Sequence, residues 1–197
     1  DLREQSQALV RAIPTDSEIR RLWRVASALA ASQMFPDAKA AAQAYAKVLI
    51  GQDLGLSPTQ AMMGIHIVEG KPMLSYTLLG SFVRRNGFDY RVDELTPETC
   101  SVTILRAEKP IGVSTFTIED AKLANLVKSK SGWEKNPRNM LMARALSNAV
   151  RWYCPEVMGG VPVYTEGEIE ASSGRVHSSA EPQGLDLGPK VEAVLIR

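Results

Sequence analysis

The apolar residues of this chain change period twice, and nothing else in the sequence restricts its fold as much. From Thr15 to Gly64 they recur at three- and four-residue spacing, as helices require. From Ile65 to Phe116 they fall mostly in short segments, several of them alternating, cut by turn residues. From Thr117 to Trp152 the helical spacing returns. Strands joined by short turns and flanked by helices predict an α+β fold. The expected architecture is a small antiparallel β-sheet, a hairpin plus a three-stranded meander, packed with several α-helices.

Local signals mark the elements. Thr15 and Glu18 form a T-x-x-E capping box before Ile19, Leu22, Trp23, Ala26, Leu29 and Ala30. Phe35-Pro36-Asp37 is read as the opening of a second helix, through Tyr45, Val48, Leu49 and Leu54 to a left-handed Gly55. Ser57-Pro58-Thr59-Gln60 caps a third. Gly70-Lys71 is the expected hairpin tip, and Tyr76 to Asn86 a helix stopped by Gly87. Phe88–Leu95, Cys100–Leu105 and Ile111–Phe116 read as the meander, the last two joined through Glu108-Lys109-Pro110. Thr117 with Asp120 is a further capping pair. Residues 1–14 are expected to be flexible, 15–170 to form the working domain, and 171–197, rich in Ser, Gly and Pro, to be a linker or tail.

Several function classes lose support at once. The P-loop, GxGxxG and GxSxG patterns are absent. Cys100 and Cys154 form no CxxC pair, and His66 and His177 are far apart, so no zinc cluster is read. No apolar run approaches the roughly 20 residues that span a bilayer. The polar DLREQSQALVRAIP does not read as a signal peptide, and a cytoplasmic location is expected. Glu119-Asp120 resembles a metal-nuclease pair, but its place in a first helical turn favours capping. Neither catalytic residues nor an essential cofactor is expected, with Mg2+ at most modulating DNA binding.

The charge pattern carries the functional reading. The chain is only +1, yet between Ala121 and Tyr153 there are seven cations (Lys122, Lys128, Lys130, Lys135, Arg138, Arg144, Arg151) against the single acid Glu134. Trp133 lies among them. On a wheel of 100° per residue, Leu141, Ala145, Ala149, Met142, Leu146 and Val150 share a broad face. Arg144 and Arg151 fall within about 20° of each other opposite it, flanked by Ser147, Asn148 and Met140, while Arg138 projects into the apolar sector. Guanidiniums grip phosphate in a fork, lysines follow a backbone as point charges, and an indole stacks on any base. A sequence-tolerant nucleic-acid groove is the sharp reading; a solvated helix face with Trp133 as a core plug is the plain one. Lys71 at the hairpin tip and Arg84-Arg85 at a helix end are further cations. Lys71 is most simply a solvated turn residue, with DNA contact the lesser reading, while a favourable helix dipole explains Arg84-Arg85 as simply as DNA contact does.

The succession GLSPTQAMMGIHIVEGKPMLSY, a helix ending RRNG, TFTIEDAKLANL, WEKNPRNMLMARALSNAVR and VPVYTEGEI resembles the RecT family of phage single-strand annealing proteins, from about Ala40 to Ile169. The resemblance implies ATP-independent binding and annealing of single-stranded DNA through an annealed duplex intermediate. It also implies homo-oligomeric rings or helical filaments, a 5′–3′ exonuclease partner and a host single-strand-binding protein. Trp133, Lys135, Pro137, Arg138, Met140, Arg144 and Arg151 fall on the family's motif, with its cations lining the DNA groove. Where family members commonly carry Gly, this chain has Asn125, which tolerates a left-handed turn. The alternative kept beside it is a self-assembling interaction module without annealing activity, its acidic 156–170 strip meeting a neighbour's basic stretch.

Overall fold

The computed structural model describes residues 15–68, 70–159, 164, 165 and 168. The expected flexible segment 1–14 and tail 171–197 lie outside them. The sequence suggested one domain over 15–170; the contacts divide the chain into two compact units, with the boundary after Met63.

In the first unit, α1 (Asp16–Ala31) starts where its capping box predicts: the Glu18 amide donates to Thr15 Oγ1 and the Thr15 amide to Glu18 Oε2. Helix α2 spans Ala41–Asp53. It begins later than Phe35-Pro36-Asp37 suggested; ahead of it, the Asp37 carboxylate accepts from Lys47 Nζ at 2.9 Å. Gly55 is left-handed at φ 69° and closes α2, with the Leu56 amide reaching Gly51 O at 2.7 Å. Helix α3 (Pro58–Gly64) carries the expected reciprocal Ser57–Gln60 cap. Leu22, Ala26, Ala30, Ala38, Ala44, Val48 and Met62 form the core of this unit, and Trp23 meets Tyr45 edge-on.

The second unit is α+β with two small sheets. Strands β1 (Ile65–Val68) and β2 (Lys71–Leu74) form the hairpin, Gly70 taking φ 76° at its turn. Helix α4 (Tyr76–Arg85) leads to β3 (Phe88–Leu95), β4 (Thr99–Arg106) and β5 (Lys109–Thr117), an antiparallel meander in order 3-4-5 as expected. The β4–β5 turn is Ala107–Glu108, both at positive φ, not Glu108-Lys109-Pro110. Pro110 instead lies in β5, an edge strand, where its missing donor is tolerated. A bulge at Asp93 turns that carboxylate toward Arg91 Nε at 2.7 Å and toward the hydroxyl of the buried Thr103.

Next come α5 (Ile118–Leu123), the four-residue α6 (Gly132–Lys135) and α7 (Pro137–Tyr153). A 3-10 turn, Pro155–Met158, follows. The two-residue β6 (Tyr164–Thr165) then adds a parallel edge to β2, which no sequence signal announced. Helix α7 packs on β4, β5, α4 and β6 and is the axis of the unit. Gly112 lets it approach β5 closely: a Cβ there would lie 2.3 Å from the Tyr153 ring, whose hydroxyl donates to Val113 O. Among the described residues no helix is long and apolar enough to cross a membrane.

Cys100 and Cys154 are both buried, and desolvation pushes each thiol up to about 11. Neither is expected to react with a disulfide reagent at pH 8 until denaturant is added, when both should titrate. Rapid native labelling of either would contradict this burial.

Candidate nucleic-acid interface

The basic stretch is arranged by two turns and a short helix. Thr117 and Asp120 form a reciprocal cap on α5, and Glu119 binds Lys122 at 2.7 Å, so both adjacent acids are engaged within the helix's own turns. Among the described residues no cluster of metal-ligating side chains occurs. Asn125 adopts φ 56°, the left-handed turn expected of it, and the Leu126 amide returns to Ala121 O. Lys130 is also left-handed, at φ 62°, and its amide donates to Glu134 Oε2. That contact ties the loop to α6, and Pro137 then opens α7 at its first position.

This path turns Trp133 inward. The indole is only 1% exposed, with its centroid 6.1 Å from that of Phe116. The stacking role expected of Trp133 is therefore corrected: its ring has no face open to a base, and it fills the core. The exposed indole is Trp152, 59% accessible in the last turn of α7 and edge-on to Tyr153. Sequence reasoning passed over it; its adjacency to Arg151 was the available signal.

The cations separate into two groups. Lys128, Lys130, Lys135 and Arg138 are exposed, and their side chains make no ion pair among the described residues. Arg138 thus points to solvent, not into the apolar sector where the wheel put it. Arg144 and Arg151 are engaged. The Arg144 side chain is 17% exposed; its guanidinium lies 5.0 Å over the Phe116 ring and 3.3 Å from Glu168 Oε2, which Arg151 Nη2 also contacts. Burial lowers the Arg144 pKa, Glu168 opposes that shift, and neighbouring Arg151 adds to it. Helix α7 is also less amphipathic than its wheel: Ala143 and Ser147, off the apolar face, are buried, and the Ser147 hydroxyl donates to Arg144 O. Among the described residues, Ser114 Oγ, Ser131 Oγ, Trp133 Nε1 and Arg144 Nε are buried polar atoms without a hydrogen-bond partner.

The outlying cations have contacts of their own. Lys71 lies over Tyr164 at 5.2 Å. Arg84 binds Asp89 through Nε at 3.0 Å and lies over Tyr90, clasping the end of α4 to β3. Arg85 lies over Phe82.

No family model, curated protein or solved structure matches the chain.

Proposed function

We propose that this chain is an ATP-independent single-stranded DNA-binding and annealing protein that promotes recombination of phage or prophage DNA. One observation carries the reading: among the described residues Lys128, Lys130, Lys135 and Arg138 stand exposed and without acid partners, on a stretch anchored by the buried Trp133. Surface cations without ion pairs leave their charge available to phosphates, and releasing counterions from a backbone favours binding whatever the sequence. Trp152 supplies the aromatic surface that Trp133 does not, beside Arg151 at the end of α7. A groove that grips the backbone leaves base edges open to a second strand, and no bond need be broken. Homo-oligomers in rings or filaments would join such sites by raising effective concentration. A 5′–3′ exonuclease would supply the strands, and a host single-strand-binding protein would hold them.

Acceleration of duplex formation between complementary labelled oligonucleotides, without ATP, tests the proposal. No acceleration at any protein concentration would end it. Lys135→Ala and Arg138→Ala are each expected to weaken binding alike for all sequences and to flatten the salt dependence by about one unit of slope. Trp152→Ala should lower affinity by about fivefold or more while leaving the melting temperature near that of the parent. The interaction-module reading loses one of its acids, because Glu168 is already paired with arginines of its own chain.

A further inference from the structure

The contact between Glu168 and α7 is a built one. Glu168 Oε1 accepts from the Thr165 hydroxyl at 2.8 Å and the Thr165 amide at 3.3 Å. Glu168 Oε2 faces Arg144 Nη1 at 3.3 Å and Arg151 Nη2, and the side chain is only 5% exposed. Two guanidiniums thus converge on one oxygen while a hydroxyl and an amide hold the other. Carboxylate and phosphodiester both present a pair of anionic acceptor oxygens, so the same donors serve either. The two arginines also repel each other, which favours an anion between them.

We infer that Arg144, Arg151 and Thr165 form an oxyanion site for a nucleic-acid phosphodiester, and that Glu168 is its internal occupant in the unbound chain. The inference rests on the proposed nucleic-acid reading of α7. It adds an order of events: the exposed lysines meet the backbone first, and the arginine pair engages only as phosphate displaces the carboxylate. Glu168 thereby sets the threshold for tight binding, since any phosphate entering the site must match the contacts it replaces.

The test compares the full chain with Glu168→Gln, using a fluorescent oligothymidine and, separately, inorganic tripolyphosphate. Both are expected to bind about tenfold tighter to the variant, and Arg151→Ala in the same background should cancel the gain. Glu168→Asp keeps the charge but shortens its reach, so an intermediate gain is expected, and it carries the test if Glu168→Gln does not fold. No gain for either ligand in a folded variant overturns the inference, as does a gain that survives Arg151→Ala, which would be a general charge effect. A gain for tripolyphosphate with no binding of oligothymidine by either protein would keep the oxyanion site and remove the nucleic-acid reading.

Discussion

Trp133→Ala is expected to destabilise the protein by about 3–5 kcal/mol, the range for deleting a large buried aromatic side chain. The indole is among the largest fully buried side chains, and it packs on Phe116, whose ring also carries Arg144. Removing it opens a cavity beneath the basic loop and loosens the α6 turn that aims Lys130 and Lys135. Trp133→Phe keeps most of the ring and deletes an indole N–H that has no acceptor among the described residues, so its cost should stay below about 1.5 kcal/mol. Urea unfolding of the two variants separates a core plug from a stacking platform. A platform would lose oligonucleotide affinity in Trp133→Ala with unchanged stability, and that outcome would return the residue to the surface.

The two tryptophans also show where a helical wheel stops being informative. At 100° per residue Trp152 falls near Leu141 and Ala145, and Arg138 falls between Ala145 and Ala149, so both belong on paper to the buried face. Both are exposed, and both lie in terminal turns of α7. A wheel assumes that a helix is covered along its whole length. At the C-terminal end the close contact with β5 is made by Tyr153 over Gly112, and Trp152 is left outside. Mid-helix the error runs the other way. Ala143 and Ser147 are buried because α4 and β6 also pack on α7, and those neighbours come from distant parts of the chain.

Most signals that act within four residues were legible, the Phe35-Pro36-Asp37 opening and the Glu108-Lys109-Pro110 turn excepted. The capping boxes at Thr15 and Thr117, the left-handed Gly55 and Asn125, and the period-two meander all stand where the residues place them. Pairings across long separations were not. Strand β6 has two residues and no alternation to read, and Glu168 looked like one more surface acid. Its meeting with Arg144 and Arg151 follows only once β6 is laid beside β2. The basic stretch was therefore found as a segment, but its division into available and engaged cations was not.

Asp37→Ala is expected to cost about 3–5 kcal/mol, as large an effect as that of Trp133→Ala although Asp37 itself is partly exposed. Lys47 is fully buried, and its ammonium donates to Asp37 Oδ1 at 3.1 Å, Asp37 Oδ2 at 2.9 Å and Met62 O at 2.9 Å, with the Phe35 ring 5.9 Å away. Removing the carboxylate strands a positive charge in the interior. Lys47→Met should cost less, because the surviving carboxylate retains access to water and only the Met62 carbonyl loses a buried donor. The double variant Asp37→Ala/Lys47→Met should then be more stable than Asp37→Ala alone, since it no longer buries an unpaired charge. Urea midpoints across this four-member cycle measure the coupling, and additive losses would mean that the pair does not act as a unit.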